Sequence, residues 1–263
     1  MDLGLKGKVA LIAASSKGLG FAVAEELAAE GARLVMNARG EASLKEASKS
    51  IAGRFGSDVL AVAGDVSIRS DAERIVAAGI ERFGQIDILI TNSGGPPAGR
   101  FDDLSADQWD AAVATLLTSV TDMTRLVMPG MKERKWGRIL NVTSIAAKQP
   151  VANLILSNSL RAAVTGFSKT LAAEVGEYGI TVNTILPGYT TTERVEELAE
   201  HLAKKEGVDP SVIRSRWEAE IPLGRLADPK EFASMAAFLV SERASYVTGS
   251  SIAVDGGWIR SLF

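Results

Sequence analysis

Short apolar runs alternate with longer stretches of helical periodicity from the start of the chain. Val9-Ala10-Leu11-Ile12-Ala13 has no polar position and predicts a strand buried on both faces. Phe21 to Glu30 has helical spacing and closes at Gly31. The alternation continues with strands at 33–37, 59–63 and 86–90 and helices at 41–55 and 67–83. The second half predicts a helix over 106–131, a strand over 138–142, a helix over 153–177 and a strand over 180–185. Two helices follow within 192–222, another begins at Pro229, and 251–254 forms the last strand. Fully apolar strands separated by helices predict a parallel sheet covered on both faces. The fold class is therefore α/β, a doubly wound, Rossmann-like parallel sheet.

The 263 residues contain no linker or low-complexity tract, so one domain over 1–263 is expected, with the two helices within 192–222 packed outside the sheet. Composition narrows the chemistry. There is no cysteine and only one histidine, His201, which removes disulfides, zinc thiolates, cysteine nucleophiles and multi-histidine metal sites. No metal site is expected, and His201 reads as a surface residue. A net charge of -3 and a pI of about 5.4 give no support for a nucleic-acid or membrane partner. No apolar run is expected to span a bilayer, and the N-terminus does not read as a signal peptide, which makes the cytoplasm the default location.

The turn after the first strand carries Ser15-Ser16-Lys17-Gly18-Leu19-Gly20 and leads into a helix. Missing side chains let the backbone approach a pyrophosphate, and the helix start offers free N–H groups and a positive dipole end. The alternative is a plain tight turn. The second strand ends at Ala38-Arg39, where an NAD site would place a carboxylate for the ribose 2′-hydroxyl. A carboxylate would repel a 2′-phosphate and a guanidinium would bind it, so Arg39, with Lys17 beside the loop, points to NADP(H). Either cation can equally be a solvated surface charge.

Ala13-Ala14-Ser15-Ser16-Lys17-Gly18-Leu19-Gly20 resembles the Thr-Gly-x-x-x-Gly-x-Gly loop of the short-chain dehydrogenase/reductase family, with Ala14 in place of the first glycine. Asp65-Val66 resembles its adenine-contacting pair, and Thr91-Asn92-Ser93-Gly94 its Asn-Asn-Ala-Gly turn. Pro187-Gly188 with Thr192 resembles its turn near the nicotinamide, and Val254-Asp255-Gly256-Gly257 its C-terminal strand. The likeness spans essentially the whole chain and is nearest to 3-oxoacyl-carrier-protein reductases. It implies a small carbonyl or alcohol substrate, a helical lid over that substrate at 192–222, and a homotetramer built on the long helices and the C-terminal segment. The apolar end, Trp258-Ile259 and Leu262-Phe263, suits a buried terminus or simple intrachain docking.

The family's catalytic set is Asn, Ser, Tyr and Lys. Ser144 falls on its serine, just past the fifth strand; a capping serine is the other reading. Family spacing places the Tyr-x-x-x-Lys motif on Ser157-Asn158-Ser159-Leu160-Arg161, and the asparagine on Leu116. Ser157 and Arg161 share a helix face. Arg161 suits the ribose hydroxyls, whereas Ser157 is a poor acid unaided. Tyr189, just past Pro187-Gly188, is a candidate substitute acid, with lid packing as its alternative role. Lys148 near the mouth reads as a solvated loop charge or a further cation. Three readings follow: an NADP(H)-dependent oxidoreductase on a carbonyl/alcohol pair; a catalytically impaired NADP(H) binder with a sensing or structural role; and a lyase or isomerase reusing the pocket.

Overall fold

The computed structural model describes residues 2–262, so the Phe263 part of the terminal docking expectation lies outside the described residues. Seven strands form one parallel sheet in the order β3-β2-β1-β4-β5-β6-β7. They are β1 (Val9–Ile12), β2 (Arg33–Ala38), β3 (Val59–Ala63), β4 (Ile88–Thr91), β5 (Gly137–Val142), β6 (Ile180–Pro187) and β7 (Ser251–Val254). The strand order reverses between β1 and β4, where an open α/β sheet leaves a crevice at its C-terminal edge.

Helices α1 (Gly18–Ala29), α2 (Glu41–Phe55) and α3 (Arg69–Phe83) connect the first four strands. The next connection is α4 (Ala106–Val113), a π turn over Ala114–Thr118 and α5 (Ser119–Arg134), followed by α6 (Ile155–Val175). The segment expected as the lid holds α7 (Glu193–Glu206) and α8 (Pro210–Glu220), and α9 (Pro229–Leu239) precedes β7. One apolar layer joins α1, α2 and α9 to one face of the sheet, and a second joins α3, α5 and α6 to the other. This is why the strands read as unbroken apolar runs: β1, β4 and β5 have every residue buried.

One expectation is corrected. Among the described residues the continuous run Ala106–Arg134 is long and apolar enough to cross a membrane, with a mean hydropathy of 1.2 over its best window. It lies against the sheet as a layer helix, with Met123, Val127 and Met131 buried in the second apolar layer. Its buried Asp122 is held by Arg69 from α3 through two hydrogen bonds of 3.1 Å.

Ala14, where the family loop has glycine, adopts φ +49°. A side chain in this left-handed region costs about 1–2 kcal/mol, partly offset by alanine's smaller unfolded-state entropy. Ala14→Gly is therefore expected to raise Tm by about 1–3 °C in calorimetry. A fall in Tm would show that the turn accommodates alanine without strain.

Candidate active site and dinucleotide cleft

The glycine loop begins where β1 ends. Ser15, expected in the cofactor loop, has a fully buried side chain that serves the fold. Its hydroxyl donates to the Ile12 carbonyl at 2.9 Å and accepts from the Asn37 N–H at 3.1 Å, clasping β1 to β2. Asn37 continues the clasp by donating to the carbonyls of Val62 and Gly64. Ser16 is half-buried and Lys17 exposed at the start of α1. That helix begins at Gly18, earlier than the apolar pattern predicts, with no side-chain cap and no acidic residue in its first turn. Its N-terminal N–H groups and positive end are thus available to an anion. Gly20 is required by contact: a Cβ there would stand 2.3 Å from the Ala14 carbonyl oxygen. Leu19 is half-buried and packs against the first apolar layer.

Four predicted site residues meet in one cavity: Val66, Asn92, Ser93 and Arg161, joined by Ser119 and Val142 among others. Its free interior is about 10 Å³, roughly the room of one water. Asn92 donates to the Ala14 carbonyl at 3.4 Å, tying the turn after β4 to the glycine loop. Gly94 lies exposed at the outer end of that turn. Asp65 accepts from the Ser67 backbone and hydroxyl and lies 3.9 Å from Arg39, which is highly exposed.

Arg161 is the most unusual group in the site. It is buried, and no carboxylate pairs with it among the described residues. One guanidinium nitrogen donates to the Val142 carbonyl at 2.8 Å, while Nε has no partner. Burial alone pulls the guanidinium down to about 10, which still leaves it charged at neutral pH. One helical turn before it, Ser157 is half-buried on α6. Ser144 has extended backbone just past β5, and its Oγ accepts from the Ala146 N–H at 3.2 Å. Both readings of Ser144 therefore meet in one residue: it caps the following turn, and its own hydroxyl proton stays free to donate. Leu116 is fully buried inside the π turn and packs against Leu156 and Leu160. A π turn commonly marks a functional region.

The sequence reading missed the buried chain that holds α6 in place. Thr91 donates to Asn141 at 2.7 Å, Asn141 donates to Ser168 at 2.8 Å, and Ser168 donates to the Val164 carbonyl. Polar residues inside the otherwise apolar β4 and β5 were the available signal.

On the other wall, Gly188 follows β6 against Asp255, where a Cβ would stand 2.7 Å from the Asp255 Cα. Pro187 ends the strand, and Thr192 precedes the first turn of α7. Tyr189 stacks on Trp217 at 4.7 Å and meets Trp258 edge-on at 6.4 Å, within the apolar cluster that seats α7 and α8 on the body. Burial, with Glu220 adding to it, pushes the Tyr189 phenol up, so it is protonated throughout the neutral range. The apolar stripe of the lid faces the body: Ala199, Ala203, Ile213, Trp217 and Ile221 are buried there. His201 and Lys148 are exposed, Trp258 is buried, and Leu262 is exposed.

Residues 13–259 match the family model described as enoyl-(acyl carrier protein) reductase. The chain belongs to the short-chain dehydrogenase/reductase family. It is 35% identical to D-beta-hydroxybutyrate dehydrogenase of Cupriavidus necator, over 97% of this chain and 99% of that protein. It is 33% identical to the 3-oxoacyl-(acyl-carrier-protein) reductase of Vibrio cholerae, over 97% and 98% of the two. Among solved structures it matches L-sorbose reductase of Gluconobacter frateurii, complexed with NADPH and L-sorbose, with a TM-score of 0.96 and 38% identity over the whole of both chains. The doubly wound parallel sheet of this short-chain dehydrogenase/reductase thus agrees with the one expected from its sequence.

Proposed function

We propose that this protein is an NADP(H)-dependent oxidoreductase interconverting a carbonyl and an alcohol, with 3-oxoacyl reductase-like activity. The observation that carries the reading is Ser144: a hydroxyl free to donate at the C-terminal edge of the sheet, where substrates of open α/β enzymes bind. The relatives named for reductase and dehydrogenase activities support it. They do not favour the impaired-binder alternative.

The cleft fits the cofactor on its own evidence. The α1 N-terminus is uncapped, Gly20 leaves a cradle that a Cβ would fill, and the buried Nε of Arg161 lacks an acceptor. Bound NADPH supplies the hydride; the protein positions and polarises. The N–H groups around Lys17, Gly18, Leu19 and Gly20 would hold the pyrophosphate, and Arg39 and Lys17 the 2′-phosphate. Asp65 and Val66 would hold the adenine. Asn92, Ser93, Gly94, Pro187, Gly188 and Thr192 would flank the nicotinamide half, and Arg161 would donate to its ribose. Ser144 donates to the substrate oxygen, and Ser157 extends the proton path toward the ribose hydroxyls. We assign residues 192–222 to a lid over the substrate within one domain, and Tyr189 to lid packing. We also infer a cytoplasmic homotetramer, supported by the exposed small residues Ala162, Ala163 and Gly166 on the outer face of α6.

The test follows NADPH absorbance with acetoacetyl thioester, acetoacetate and L-sorbose. Steady oxidation is expected with at least one; tight binding without oxidation across the panel would sink the enzymatic reading. Tyr189→Phe is expected to leave that turnover unchanged. A loss on the order of 10²-fold would instead make its phenol the general acid.

A further inference from the structure

One ion pair joins the glycine loop to the root of the lid. Lys17, the residue preceding α1, donates from Nζ to the Glu193 carboxylate at 2.6 Å. Glu193 is the first residue of α7 and lies 176 positions further along the chain. The two residues beside it touch the same region. The Thr192 methyl lies 3.9 Å from where a Gly18 Cβ would stand, and the Arg194 guanidinium lies 3.3 Å from the corresponding point at Gly95. Three successive residues at the lid root therefore rest on the two loops flanking the cleft.

The charges are arranged unevenly. The first turn of α1 carries no acid, whereas that of α7 carries Glu193 and Glu196. The only cation on the glycine loop is thus matched by a carboxylate from across the cleft. Arg39 has a looser partner in Asp65, at 3.9 Å. Lys17 and Glu193 are both well exposed, at 68% and 71% of their side-chain surface, so either can change partners without unfolding anything. The Glu193 hydrogen bond, then its charge, pushes the Lys17 ammonium up, which keeps it charged at neutral pH.

We propose that Glu193 is a specificity-determining residue. It holds Lys17 in an ion pair and must surrender it to the 2′-phosphate of NADP(H), which frees the lid root from the glycine loop. This rests on the NADP(H) reading above. A dinucleotide ending in a 2′-hydroxyl has no charge with which to compete and leaves the pair closed. Glu193 thereby couples lid position to the phosphorylated cofactor, and the coupling is reciprocal: a latched lid lowers affinity for that cofactor.

The test is a set of equilibrium titrations with NADPH and NADH, read by nicotinamide fluorescence without substrate. The proteins are wild type, Glu193→Gln, Lys17→Met and the double variant. Exposed pairs are weak, so Glu193→Gln is expected to lower the NADPH Kd by about threefold to fivefold, more at low salt, and to leave the NADH Kd nearly unchanged. In the Lys17→Met background the same substitution is expected to do nothing. Equal tightening of NADH would place the effect on the shared pyrophosphate and overturn the proposal, as would an effect that persists without Lys17. An unchanged NADPH Kd in a protein that still prefers NADPH would remove the proposal alone. A wild type with no preference for NADPH would bring down the cofactor reading and the proposal together.

Discussion

Ser144→Ala is expected to lower kcat/KM for carbonyl reduction by about 10²-fold to 10³-fold. That is the usual cost of deleting one preorganised donor to a developing oxyanion. The geometry is specific to this serine. Its Oγ accepts from the Ala146 N–H at 3.2 Å, which orients the hydroxyl and leaves its proton unused. Neither Leu116 nor Ser157 can replace that donor at full strength: one is apolar and buried, the other stands on α6 rather than at the end of β5. The loss should fall mainly on kcat, because the donor acts on charge that develops in the transition state. NADPH affinity should change little, and stability should fall only by the value of a lost cap, about 1 kcal/mol. Turnover retained within about threefold, a ΔΔG‡ below about 1 kcal/mol, would reduce Ser144 to a capping residue and move the chemistry elsewhere.

The sheet was legible because its short, unbroken apolar runs alternate with longer segments of helical period. The run Val9–Ile12 and the helical period of Glu41–Phe55 were therefore readable to within a residue. The start of α1 was not, because its first helical residues are the glycines of the loop, which carry no apolar period. The π turn at Ala114–Thr118 was invisible for a similar reason: one extra residue in a helical turn leaves the apolar pattern almost intact. At the site, the motifs named Val66, Asn92, Ser93 and Arg161, which the fold brings to one cavity. The strand clasp made by the Ser15 hydroxyl was not legible, because a serine in a phosphate loop and a serine clasping two strands look alike in sequence. The Lys17–Glu193 pair could not be read at all: no local pattern links residues so far apart. Arg161 shows the difference most clearly. Sequence gives its helix face; only the fold shows a guanidinium buried without a carboxylate.

That burial makes Arg161→Met the substitution with opposite expected effects on stability and function. A cation whose folded pKa lies below its unfolded value penalises the fold while it is charged. Here burial alone pulls the guanidinium from its ordinary range down to about 10. The penalty is therefore present in full below about pH 10 and is relieved as pH climbs from there toward the ordinary guanidinium range. Between those limits the unfolded chain binds the extra proton, so this group's contribution to stability rises with pH. The drop corresponds to a cost on the order of 3 kcal/mol at neutral pH. A methionine of similar length removes the charge and loses the hydrogen bond to Val142, worth about 1.5–3 kcal/mol. Replacing buried charge by a well-packed apolar side chain is commonly neutral to stabilising, so Tm is expected to hold or to rise by up to about 6 °C. NADPH affinity should move the other way. Losing a charged donor to the ribose is expected to weaken it by about 10-fold to 100-fold, with turnover falling at least as far. Calorimetry and an NADPH titration on the same two proteins decide the matter. A large drop in Tm with cofactor affinity unchanged would make Arg161 a structural core residue. The opposite pair would show that this fold carries an unfavourable buried charge for the sake of the ligand that completes it.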